Sequence, residues 1–213
     1  VYLFDGAMGW AQLQMIKAAN RDHNDRFGSA VALSADGGRL AIGADSEDSN
    51  DVSDPSIDVG INYDAGAVYV YTRDSGGVWQ NEAYLKAAAI SGGDKLGVVV
   101  SLSSDGNTLA VGAPFEDSAQ TGIGGSDADD SAGSNSGAVY VYSRTGSTWA
   151  QRTYVKAPNT DTGDAFGSAI ALSADGGTLA AGAPDEDSDL TGLNTGATLD
   201  NNNAAAAGAV FLY

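Results

Sequence analysis

The sequence has no cysteine, one histidine and four prolines in 213 residues. Without cysteine, neither a disulfide framework nor a thiolate metal site can form. Positive charge is also scarce. Ten Lys and Arg stand against 28 Asp and Glu, giving a formal net charge of −18. A polyanion of that size repels the phosphates of nucleic acid and anionic lipid, so neither is expected as a partner. It suits a soluble extracellular protein, a salty medium or a chain holding divalent cations. The plainer alternative is that excess Asp only keeps a β-rich protein in solution. No apolar run approaches the roughly 18 residues that cross a bilayer, so no membrane insertion is expected. The start, Val1-Tyr2-Leu3-Phe4, lacks the flanks of a signal peptide and reads as mid-strand. Helix signals are nearly absent. Only Ala11 to Ala19 could read that way, and its register with later strands overrules it.

Glycine and a repeated pattern are what the sequence does have. Phe27 to Asp45 reads FGSAVALSADGGRLAIGAD, Leu96 to Pro114 reads LGVVVSLSSDGNTLAVGAP, and Phe166 to Pro184 reads FGSAIALSADGGTLAAGAP. Landmarks keep one period of 69 to 70 residues: Trp10, Trp79 and Trp149, and likewise Lys17, Lys86 and Lys156, Gly28, Gly97 and Gly167, and Glu47, Glu116 and Glu186. Internal repetition of this kind sets the architecture. Each repeat reads as four strands. The first, Ser29 to Leu33, turns through Asp36-Gly37 into the second, Leu40 to Gly43, since Asp-Gly between apolar runs favours a hairpin. A long Gly/Asp/Ser/Asn loop leads to the third, Val68 to Tyr71, which is apolar on both faces and so is expected between neighbouring sheets. The fourth runs from Trp79 to Lys86.

The predicted fold is therefore all-β, made of four-stranded antiparallel β-propeller blades in three repeats, with the ring incomplete within one chain. A single repeat region divides into 1–26, terminal strands of a preceding blade, then 27–95, 96–165, and 166–213, the last lacking its fourth strand. Three repeats are too few for a closed ring, and the two ends are complementary. Two alternatives are open: a piece of a longer propeller, or a chain that joins further copies of itself head to tail.

Phe166-Gly167 followed by Asp175-Gly176 and Gly182-Ala183-Pro184 resembles the FG-GAP repeat of integrin α-chain propellers, and most closely the secreted bacterial and algal type. The resemblance covers nearly the whole chain. It implies an extracellular adhesive or scaffolding module, often calcium-binding, and does not imply catalysis. The family's Asp-x-Asp-x-Asp-Gly calcium motif is reduced here to one acid per repeat, Asp36, Asp105 or Asp175, which read as turn formers.

The best metal candidates lie after the second strand: Asp45, Glu47 and Asp48, then Glu116 and Asp117, then Asp185, Glu186 and Asp187. Carboxylates on a flexible loop suit Ca²⁺, the one cofactor expected. The alternative is that the recurring Glu-Asp caps backbone donors at a strand end. Asp25, Asp94 and Asp164 suggest a turn hydrogen bond or a pair with the recurring lysines, and the three Trp suggest packing between blades. His23 sits alone, with no Gly-x-Ser-x-Gly elbow or Walker loop to go with it. The expected function is a non-enzymatic extracellular repeat module for adhesion, protein–protein interaction or self-assembly, stabilised by calcium, with a protein partner, further copies of itself or a glycan as ligand. The alternative class is the propeller part of a secreted metal-dependent hydrolase or lyase.

Overall fold

The computed structural model describes residues 1–5, 9–20, 22–49, 51, 63–89, 91–125, 133–193 and 202–213. Thirteen strands and no helix are found among them. Strands β1 (Tyr2–Asp5) and β2 (Gly9–Gln12) form an isolated hairpin. A first four-stranded sheet follows: β3 (Val31–Leu33), β4 (Arg39–Ala44), β5 (Ala67–Arg73) and β6 (Trp79–Leu85). A second repeats it: β7 (Val99–Leu102), β8 (Thr108–Ala113), β9 (Ala138–Thr145) and β10 (Thr148–Val155). The third has three strands: β11 (Ala169–Leu172), β12 (Leu179–Ala183) and β13 (Ala209–Leu212). All strand pairs are antiparallel between sequence neighbours. This arrangement is consistent with propeller blades, and the described residues close no ring.

The turn chemistry sets each hairpin. In all three repeats a serine hydroxyl and a backbone N–H converge on one Asp: Ser34 and Gly38 on Asp36, Ser103 and Asn107 on Asp105, Ser173 and Gly177 on Asp175. The serine bond first, and then the backbone N–H, hold all three carboxyls below the usual aspartate range. The following Gly37, Gly106 and Gly176 take φ of 65, 68 and 71°, which a side chain would resist.

Sheets stack face to face through the central strands. Val68 and Val70 of β5 are fully buried against the second sheet, where Val100, Leu109, Val111 and Tyr140 meet them. Val139 and Val155 of the second sheet meet Phe166, Leu179 and Ala181 of the third. The apolar character of β9 on both faces is thus explained by a sheet on each side, and that of β5 by the second sheet on one face and Ile16, Ala18 and Phe27 on the other. A polar hub also crosses the first junction. Glu82 accepts from Arg39 Nε at 2.9 Å, Arg144 Nε at 2.8 Å and Trp149 Nε1 at 3.1 Å. Burial opposes its charge, but the bonds from Trp149, Arg144 and Arg39 prevail and hold the carboxyl below its usual range. Equivalent positions carry Leu13 and Arg152, so the hub does not repeat.

Two expectations differ from the structure. The segment Leu13–Lys17 reads as strand by register, yet β2 stops at Gln12. Its homologues in β6 pair with Val68, Tyr69 and Val70, and Leu13–Lys17 finds only Val1 opposite, which accepts from Leu13 N–H at 2.8 Å. The three tryptophans also part company. Trp149 is buried between the first and second sheets and Trp79 between the first sheet and the segment around Ile16 and Ala18, whereas Trp10 is 71% exposed.

Candidate functional site

The recurring Glu-Asp-Ser segments lie where each second strand runs into its long loop. Backbone geometry repeats there. The N–H of Gly66, Gly137 and Gly208 donates to the carbonyl of Glu47, Glu116 and Glu186, at 2.9, 3.0 and 2.9 Å. The neighbouring aspartates reach across the loop base. Asp48 Oδ1 accepts from Asp64 N–H at 2.7 Å, Asp117 Oδ1 from Asn135 N–H at 2.8 Å, and Asp187 Oδ1 from Ala206 N–H at 2.7 Å. All three donors sit at positive φ, 58, 53 and 53°. Each loop is therefore closed at its neck by the same clasp.

The glutamates point inward instead. Glu47 Oε2 takes Lys86 Nζ at 2.7 Å and the Tyr84 hydroxyl at 2.8 Å, and its other oxygen takes Asn20 Nδ2 at 3.1 Å. Glu116 Oε2 takes Lys156 Nζ at 2.7 Å, and Lys156 also donates to Ser136 Oγ at 2.6 Å. Both ion pairs are almost fully enclosed. Burial pulls the Lys86 ammonium below its ordinary value against the opposing pull of Glu47. In the third repeat Glu186 is buried and accepts from Asn159 Nδ2 at 2.8 Å, and the lysine position belongs to the absent fourth strand. Lys86 and Lys156 thus pair with glutamate, where an Asp25- or Asp164-type partner was one expectation. Asp25 and Asp164 close turns, accepting from Asp22 and Asp161 N–H at 2.8 and 2.9 Å.

The remaining candidates are dispersed. Asp45 Oδ2 pairs with Arg26 at 2.9 Å, and its Oδ1 is buried without a partner. Asp185 is exposed and matches Ser46 in register rather than Asp45, whose place Pro114 and Pro184 take. Asp54, Asp127, Asp129 and Asp130 lie outside the described residues. Calcium takes roughly six to eight oxygens, several charged. Among the described residues no three His, Asp or Glu side chains are grouped to hold a metal. As placed, the described carboxylates do not fit a calcium cage, because they are not grouped and Glu47, Glu116, Asp48, Asp117 and Asp187 each give at least one oxygen to a protein donor. Melting the chain by differential scanning fluorimetry with and without EGTA should therefore give the same midpoint within error, since the clasps close on protein donors. A drop of many degrees on chelation would show a calcium site that these contacts do not provide.

His23 is exposed beside Asp22, in the wall of an open cavity of about 410 Å³ shared with Lys17, Asp25, Arg26 and Phe27. Nothing there supplies a nucleophile oriented by the imidazole.

Among the described residues Asp164 has its carboxyl pushed up, to about 6, by burial first and then by the charges of Asp161, Glu186 and Asp187, against its bond from Asp161 N–H. A raised carboxyl contributes stability when protonated, and that contribution is lost as pH rises from about 4 to about 6. Asp164→Asn keeps the acceptor and removes the charge. Urea unfolding should show it more stable than wild type at pH 7.5, by about 1 kcal/mol, with the advantage gone by pH 4. A constant difference across that range would refute the titration.

The repeat now has its geometry: paired glycines, an Asp-Gly hairpin, a Gly-Ala strand end and a clasped loop. Residues 10–71 match the family model described as FG-GAP repeat. The chain carries an FG-GAP repeat. The FG-GAP match runs from β2 through most of β5, and the two later copies extend it by the chain's own repetition. No curated protein matches the chain. Among solved structures, Sqt1 of Saccharomyces cerevisiae is similar at 13% identity and a TM-score of 0.41, covering 78% of this chain and 31% of its own. A protein provisionally described as a 6-phosphogluconolactonase, from Bacteroides uniformis, is similar at 11% identity and a TM-score of 0.46, covering 87% of this chain and 44% of its own. The chain thus spans less than half the length of either.

Proposed function

We propose that this FG-GAP chain is a non-enzymatic extracellular module, a piece of propeller-type scaffold whose long acidic loops bind another protein. One observation carries it: the same clasp pins all three loops, Asp48 to Asp64, Asp117 to Asn135 and Asp187 to Ala206. The three repeat sheets share one strand order, so these loops leave from the same end of each. Variable loops fixed at their necks on a rigid scaffold are where binding specificity resides. A net charge of −18 favours a partner with a basic surface. FG-GAP repeats typically occur in extracellular proteins, and among the described residues no helix is long and apolar enough to cross a membrane.

The test uses one preparation for two measurements: binding to a panel of purified basic extracellular proteins, and turnover of polysaccharide and phosphodiester substrates with and without EGTA. Saturable, salt-sensitive binding without turnover supports the module. Turnover that EGTA abolishes would replace it with the enzyme alternative.

A further inference from the structure

We propose that the open face of the third sheet receives the first sheet of a second copy of this chain. The proposal deepens the interaction-module function and rests on it.

The junction between sheets occurs twice within the chain, and it has the same parts each time. At the first, a Cβ on Gly43 would lie 2.1 Å from the Gly97 carbonyl oxygen, and one on Gly66 would lie 2.2 Å from that of Leu96. At the second, Gly112 stands in the same relation to Gly167 at 2.1 Å, and Gly137 to Phe166 at 2.2 Å. Backbone bonds tie the turns together: Ala35 N–H to Ser104 O at 3.0 Å, and Ser104 N–H to Ala174 O at 2.8 Å. Only glycine lets the two backbones approach this closely.

The third sheet presents the donor half of this junction again with nothing against it. The nearest atom to a Cβ on Gly182 is Ala169 Cβ of its own sheet, at 3.5 Å. Val210 and Leu212 are 70% and 73% exposed, where their counterparts Val139 and Val141 are 0% and 9%. The first sheet presents the receiving half, covered in part by Val1, Ile16 and Ala18 and open along its first strand. A Cβ on Gly28 would meet nothing within 4 Å, whereas on Gly97 and Gly167 it would meet the Ala67 and Ala138 carbonyls at 2.6 and 2.4 Å. Val31 and Leu33 are exposed, where Val100 is buried. Both unmatched halves belong to this chain, and continuity with the two existing junctions makes a second copy the occupant.

Two further features complete the match. The cavity beside Phe27 has a counterpart in each later repeat, and there it is filled. Tyr63, Asp64 and Ala65 offer carbonyls to Gly93, Lys95 and Leu96 N–H, and Ser134, Asn135 and Ser136 do so for Gly163, Ala165 and Phe166. In register, Ala205, Ala206 and Ala207 of one copy fit against Asn24, Arg26 and Phe27 of the other. Glu186, buried without a lysine, likewise meets Lys17, which is exposed and stands where Lys86 and Lys156 stand in their repeats. Leu13–Ile16, which pairs with no strand in the single chain, then lies along β13. The conflicts are at Val1, whose bonds to Leu13 and Gln14 must open, and at Tyr2, which pairs with Gln12 where Tyr213 of the other copy would lie.

Sedimentation velocity over a concentration series tests the proposal on three chains: wild type, Gly182→Ala and Lys17→Glu, with circular dichroism to confirm folding. A methyl on Gly182 has room in the free chain, and Lys17 is exposed, so both variants should keep the wild-type melting curve. Wild type should associate, and each variant should weaken that association by more than about tenfold. A wild type that stays monomeric at its highest soluble concentration overturns the proposal, as does undiminished association of Gly182→Ala. A monomeric chain that still binds a basic protein defeats this inference and leaves the module standing. Chelator-sensitive turnover defeats the module itself.

Discussion

Replacing Lys156 with methionine is expected to destabilise the chain by about 3–5 kcal/mol, because it strands a buried carboxylate. The Lys156 side chain is fully enclosed, and Glu116 is only 3% exposed. With the ammonium gone, Glu116 Oε2 loses its 2.7 Å partner and Ser136 Oγ loses the 2.6 Å bond from the same nitrogen. The backbone N–H of Ser118, at 3.1 Å from Oε1, is a neutral donor and does not replace the ammonium. Water cannot make up the loss without opening the neck of the loop. Removing both charges together, Lys156→Met with Glu116→Leu, should recover most of the stability, since a buried pair often contributes little over an apolar pair of like volume. Urea unfolding of the two variants checks this. A loss below about 1 kcal/mol for the single substitution would mean the pair is solvated in solution.

The second large effect is expected at Gly112. An alanine there places a Cβ 2.1 Å from the Gly167 carbonyl and 2.6 Å from Val99 Cγ1. Backbone cannot rotate aside as a flexible side chain does, so the second and third sheets must separate. The cost of such overpacking is about 3 kcal/mol. The separation would also loosen Val139 and Phe166, which are fully buried at that junction. Thermal unfolding and the near-ultraviolet signal of Tyr213 should both report it, because that ring packs edge to face on Phe166 at 6.1 Å and its hydroxyl donates to the Lys156 carbonyl at 2.7 Å across the junction.

Much of this architecture is legible in the sequence, for a physical reason. Period-two apolar runs, Asp-Gly turns and recurring glycines are local signals, and threefold repetition removes their ambiguity. The turn role of Asp36, Asp105 and Asp175 follows from their place between two strands, and the structure shows it in full. Pairing across a repeat is harder to see. Glu47 and Lys86 lie 39 residues apart, with a long loop and two strands between them, so no local pattern joins them. One signal was available: both recur with the same offsets, as Glu116 and Lys156 show. The sequence likewise does not display the backbone donors that Asp64, Asn135 and Ala206 bring back across each loop to the aspartates at its base. Glu82 carries no repeat signal because its hub occurs once, and Trp10 is exposed because its burial needs sheet neighbours that β1 and β2 lack.

The most direct measurement is urea unfolding of Gly112→Ala and Gly182→Ala side by side, at a concentration where the chain is monomeric. These glycines occupy the same place in successive sheets, and only Gly112 has another sheet's backbone against it. The expected result is a loss of about 3 kcal/mol for the first and less than about 0.5 kcal/mol for the second. Equal losses at the two positions would contradict stacking through glycine contacts.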